Sequence, residues 1–148
     1  MSIEVIFKKL EQIGALLNEL EQLLNTPFEE FERDTVKVRA AERNFQLAVD
    51  LAIDINIQIL LERNKKTPDT YRQSFTALGD EGIIATELAG RLATSASLRN
   101  ILVHEYDFEE DCRKFYDSVK EFNQPYREYL KIIHRLFRES VPGATLDN

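Results

Sequence analysis

Between Thr35 and Leu60 the chain reads TVKVRAAERNFQLAVDLAIDINIQIL, and this stretch decides the fold. Val38, Ala41, Phe45, Ala48, Ala52, Ile55 and Ile59 step by three and four, which is the period of one face of an α-helix. Leu47, Val49, Leu51, Ile53, Ile57 and Leu60 cover much of the remaining circumference. A helix apolar on so many sides is either central to the fold or covered by a second subunit. The small residues Ala41, Ala48 and Ala52 on the seam let another helix approach closely.

Upstream, Ile3, Ile6, Leu10, Ile13, Leu17, Leu20 and Leu24 form a second unbroken seam, which Asn25-Thr26-Pro27 stops. Thr26, Pro27 and Glu29 have the spacing of a capping box, with Phe28 to Asp34 as a short turn before the long helix. Downstream, Asn64 to Thr67 form a basic loop, and Thr70 with Gln73 starts a short helix through Leu78. Gly79 is expected to close that helix in a left-handed conformation, and Asp80 to cap the next, whose face carries Ile84, Leu88 and Leu92. Thr94-Ser95-Ala96-Ser97 is expected to interrupt it, with Ser95 or Ser97 capping a further short helix. Asp107 and Glu110 mark the start of a last helix along Phe108, Cys112, Phe115, Val119, Phe122, Tyr126, Leu130, Ile133 and Phe137, kinked or broken near Phe122 by Pro125. The expected fold is therefore all-α: an up-and-down bundle of four to six helices, two of them long, homodimerising through helices. Residues 1–148 form one domain, with 141–148 as a frayed tail.

Composition agrees. The 148 residues include only five glycines and four prolines, which disfavours a turn-rich β chain. At 43% hydrophobic and 30% charged the chain is ordinary for a soluble protein, and this length can bury roughly two-thirds of its unfolded surface. A single cysteine excludes an intrachain disulfide and a cysteine-based metal site. No signal peptide and no membrane-spanning run is apparent, so a cytoplasmic location is the default. The net charge of −7 argues against gripping long nucleic acid by bulk electrostatics; such binding would need a local cationic patch, from Arg43, Arg72, Arg91 and Arg99 if the fold converges them.

Several groups have ordinary explanations. Cys112 lies on a core seam and reads as a buried, inert thiol, and His134 reads as an edge histidine. Asp50 and Asp54 are one turn apart and could hold a cation, but a solvated stripe accounts for them better. Arg33, Lys37, Arg39 and Arg43 read as a solvated basic face.

The run Arg99-Asn100-Ile101-Leu102-Val103-His104-Glu105-Tyr106 is different. It gathers a cation, an amide, an imidazole and a phenol within eight residues. Asn100 and His104 share a helical face, whereas Arg99 lies about 140° from His104. The helix is expected to end near His104, because Asp107 starts the next one. A helix carboxyl end stabilises a charged imidazole, which suits a general acid.

Arg99, four residues, His104, one residue and Tyr106, with a polar residue after the arginine, resembles the signature of the HEPN superfamily, and the longer run resembles its HepT-like branch. Tyr71-Arg72-Gln73-Ser74-Phe75, Gly82-Ile83-Ile84, Leu88-Ala89-Gly90-Arg91-Leu92 and Glu42-Arg43-Asn44-Phe45-Gln46-Leu47-Ala48-Val49 extend the resemblance over most of the chain. It implies the toxin half of a toxin–antitoxin pair: a helical homodimer cleaving RNA, a tRNA or an mRNA, without a metal or other cofactor. Arg99 would stabilise the scissile phosphate, and His104 would move protons for attack by the ribose 2′-hydroxyl. Asn100 would orient the phosphate or the imidazole. Tyr106 would line the site and receive AMP from a minimal nucleotidyltransferase antitoxin. The alternative is a non-catalytic helical subunit that binds a nucleotide or presents Tyr106 to that partner.

Overall fold

The structure, a computed structural model, describes residues 1–140. Six helices follow one another: α1 (Ile3–Leu24), α2 (Phe28–Arg33), α3 (Thr35–Glu62), α4 (Tyr71–Asp80), α5 (Thr86–His104) and α6 (Phe108–Glu139). The fold is an all-α helical bundle, and α3 and α6 are its longest members. The expected frayed tail, 141–148, lies outside the described residues.

α3 packs against α1, α2, α4 and α5, and its Phe45 ring meets Phe115 and Phe122 of α6. This central position is what the near-continuous apolar circumference required. By length and composition α3 is long and apolar enough to cross a bilayer, contrary to the sequence expectation; half of its most apolar window is buried in the core. α4 pairs with α5, and α6 lies across α1 and α5.

Caps explain most of the boundaries. The side chains of Ser2, Asp34, Thr70 and Asp107 accept from the backbone N–H groups of Val5, Lys37, Gln73 and Glu109. At Asp107 the reciprocal acceptor is Asp111, at 2.8 Å, not Glu110. The Thr26 capping box does not form: α2 is entered from Pro27 without a side-chain cap. The Thr26 hydroxyl instead accepts from Lys37 Nζ at 3.1 Å, and its carbonyl accepts from the Tyr116 hydroxyl.

Gly79 stays inside α4, and the left-handed residue is Gly82. Gly79 is required for another reason: a Cβ there would stand 2.8 Å from the Ala89 Cβ, so its absence lets α4 and α5 meet. Asp80 caps nothing; α5 begins at Thr86 from Ala85. Nor does Thr94 to Ser97 break α5. Thr94 and Ser95 hydroxyls donate back to the carbonyls of Gly90 and Leu92, a mode that leaves the helical ladder intact. α6 likewise continues through the buried Pro125 without interruption.

Two buried polar links set the helices around the motif. The Ser95 and Tyr126 hydroxyls lie 2.7 Å apart, fastening α5 to α6. The Tyr129 hydroxyl donates to Asn56 Oδ1 at 2.6 Å, and Asn56 Nδ2 donates to Ser74 Oγ at 3.2 Å, joining α6, α3 and α4. Burial pushes both tyrosine phenols up from their ordinary value, so they stay neutral.

Candidate functional site

Arg99 sits one turn after Ser95 on α5 and turns inward, leaving its side chain only 12% exposed. A guanidinium that far from water needs partners. Its Nε donates to Asp50 Oδ1 of α3 at 2.7 Å, and its Nη1 donates to Asn100 Oδ1 at 3.3 Å. The Tyr71 ring at the start of α4 covers one face, with the guanidinium carbon 4.9 Å from the ring centroid. Asp50, which sequence reasoning assigned to a solvated stripe, is the partner of Arg99; it lies 49 positions away, and no local signal marks the pairing. Asp54 pairs separately with Lys9 at 3.5 Å, and no metal-binding acidic cluster occurs among the described residues.

Arg72, next to Tyr71, reaches the same helix. Its Nη1 donates to Ser97 Oγ at 2.7 Å and to the Ala93 carbonyl at 3.3 Å. The fold therefore brings Arg72 onto the segment that carries Arg99, whereas Arg43 and Arg91 are exposed and make no ion pair among the described residues. In the basic run, Arg39 is held by Glu42 at 2.9 Å.

α5 ends at His104, as the sequence suggested, and the Glu105 N–H donates to the Ile101 carbonyl at 2.8 Å to close it. His104 is exposed, flanked by the exposed apolar residues Val103 and Phe108. Arg99 and His104 share one uninterrupted helix about 140° apart, so one copy of the chain does not point both at one atom.

Tyr106 leaves the helix end and folds back. Its hydroxyl is buried against the Glu42 carboxylate and the Cys112 thiol. Burial pushes the phenol well above its ordinary value, and the Glu42 carboxylate pushes it further. Burial also raises the Cys112 thiol, which fits the inert role expected of it. His134 is an exposed edge residue whose ring leans on Phe7 at 5.0 Å.

The pinned guanidinium and the helix-end imidazole suit charge stabilisation and proton transfer at phosphate. Comparison with known proteins places the chain in a ribonuclease family. Residues 13–133 match the family model described as ribonuclease HepT-like. A tRNA nuclease HepT of Aphanizomenon flos-aquae (strain 2012/KM1/D3) is 33% identical over 130 residues, covering 88% of both chains. An mRNA nuclease HepT of Shewanella oneidensis is 27% identical, covering 79% of this chain and 97% of that one. The solved structure of a tri-AMPylated Shewanella oneidensis HEPN toxin in complex with its MNT antitoxin has the same fold, with a TM-score of 0.80 at 24% identity, covering 91% of this chain and 99% of that one.

Proposed function

Because the chain belongs to the ribonuclease HepT-like family, a family of ribonucleases, we propose that it is the toxin of a toxin–antitoxin pair, an endoribonuclease that cuts tRNA or mRNA without a metal. The observation that carries this reading is the division of the motif: Arg99 held rigidly, His104 free at the helix end, and the two splayed on one helix. A homodimer resolves the splay. A two-fold axis beside Val103 and Phe108 would cover those apolar side chains and set the Arg99 and His104 of both copies around one groove.

In that groove the ribose 2′-hydroxyl attacks phosphorus in line and the 5′-oxygen leaves. Negative charge on the phosphoryl oxygens meets Arg99, whose planar fork suits two of them at once. One His104 takes the 2′-hydroxyl proton and the other gives a proton to the leaving oxygen. Asn100 orients the phosphate or the imidazole. The products are a 2′,3′-cyclic phosphate and a 5′-hydroxyl end.

The regulatory partner is a minimal nucleotidyltransferase that attaches AMP to Tyr106, a reading supported by an AMPylated Shewanella HEPN toxin held in complex with its MNT antitoxin. The added phosphate would repel substrate and occupy the groove. Since the Tyr106 hydroxyl is buried, modification requires the Glu105–Asp107 turn to open first.

The test is cleavage of end-labelled tRNA and mRNA in EDTA. Wild-type protein leaves cyclic-phosphate ends, and Arg99→Ala and His104→Ala each lose roughly 100-fold or more. A heterodimer of one wild-type and one His104→Ala chain loses nearly all activity. Equal residual cleavage in wild type and His104→Ala, traceable to contamination, defeats the nuclease reading.

A further inference from the structure

We propose that Asp50 is a positioning residue for the cleavage reaction: it holds the Arg99 guanidinium by Nε so that the opposite end is aimed, and left free, for the scissile phosphate. The proposal rests on the reading of Arg99 as the phosphate-binding group.

A guanidinium carries five N–H donors. Asp50 takes the one on Nε at 2.7 Å, and Asn100 takes one on Nη1 at 3.3 Å. Three remain, all at the Nη1/Nη2 end, which is the fork that grips two phosphate oxygens together. Tyr71 covers one ring-like face of the guanidinium, so rotation about the last bonds of the side chain is restricted from two directions. A free arginine would have to be ordered as the transition state forms; here the ordering is done in advance.

The frame behind this contact is rigid. Asp50 lies on α3, the central helix, between the buried Phe45 and Ile55. α5 is fastened to α6 by Ser95 and Tyr126, one turn before Arg99. Tyr71 is carried by α4, which Ser74 ties to Asn56 of α3 three residues later.

The sign of the effect distinguishes positioning from simple binding. Asp50 is itself an anion and adds nothing to the attraction between the groove and RNA. Removing it leaves the positive charge of Arg99 in place but releases its orientation. The loss therefore falls on turnover, and the apparent affinity for RNA stays level or improves.

The experiment uses the full-length chain with a short RNA substrate. Asp50→Ala is expected to lower kcat roughly 10- to 100-fold, the scale of a misplaced catalytic group, with KM changed less than about threefold. Asp50→Asn, which keeps an oxygen acceptor for Nε–H, recovers part of the loss. A purely structural contribution would not separate kcat from KM well below the melting temperature. Wild-type turnover in both variants, or a rise in KM alone, overturns the proposal. The Nε–H resonance of Arg99 gives a readout independent of cleavage: distinct and slowly exchanging in wild type, and lost in Asp50→Ala. If wild-type protein does not cut RNA, the nuclease reading fails. The resonance then decides whether Asp50 orients Arg99 at all, and its absence in wild type overturns that too.

Discussion

Two carboxylates on α3 face the two ends of the motif, and they are treated oppositely. Asp50 meets Arg99 at 2.7 Å, with Asn100 and Tyr71 completing the surroundings. Glu42, eight residues earlier and about 12 Å along the same helix, meets Tyr106. One of its oxygens is held by Arg39, and the carboxylate also lies against the buried Tyr106 hydroxyl. The Arg99 corner is thus fixed by Asp50, Asn100 and the Tyr71 ring, while the Tyr106 corner rests on one carboxylate and a thiol at the turn that follows α5. That difference suits the roles proposed for them. A phosphate clamp works best preorganised, and a residue that another enzyme must modify has to come out.

Measurements can break or sharpen this contrast, and the largest effect is expected at the fixed corner. Asp50→Ala strands a guanidinium that is nearly buried, and should lower the unfolding free energy by about 1–3 kcal/mol in urea titrations. A change under about 0.5 kcal/mol would show that Arg99 is not pinned.

At the loose corner the effect is smaller. Tyr106→Phe removes a buried hydroxyl that lies against the Glu42 carboxylate and should lower stability by up to about 1 kcal/mol. Alkaline pH offers a second view of the same group. The folded chain keeps the Tyr106 proton past the pH, about 10, at which the unfolded chain releases it. Stability is therefore fully present below pH 10 and falls as pH rises above it. Tyr126 and Tyr129 contribute in the same direction, so Tyr106→Phe should make the fall shallower without abolishing it. An unchanged slope would place the Tyr106 hydroxyl in water.

The smallest effect is one of reactivity. Cys112 is buried beside Tyr106, and Tyr106→Ala should uncover it, raising its rate with a thiol reagent roughly tenfold, whereas Arg99→Ala should not. Equal rates in both variants would mean that the two corners open together.

Much of the bundle was legible in the chain itself. The three- and four-residue stepping in α1, α3 and α6 is a local property, and so are the caps at Thr70 and Asp107. The end of α5 at His104 followed from the start signal that Asp107 provides. Errors occurred where a local signal had two outcomes. Serine and threonine hydroxyls cap helix ends or bond back within a helix, and in Thr94 to Ser97 packing against Tyr126 selected the second. Pro125 removes one backbone donor, but the buried faces of a 32-residue helix hold it together on either side.

The amino-acid sequence by itself determined that the protein is helical, which faces are apolar, and where the arginine, histidine and tyrosine stand along one helix and its end. Periodicity and capping act over a few residues, so they can be read without the fold. Only the tertiary structure decided that Asp50 rather than water faces Arg99, and that Tyr106 turns back against Glu42. Those pairings join positions 49 and 64 residues apart in the chain. Their energies depend on burial, which exists only once α3 and α5 are packed together.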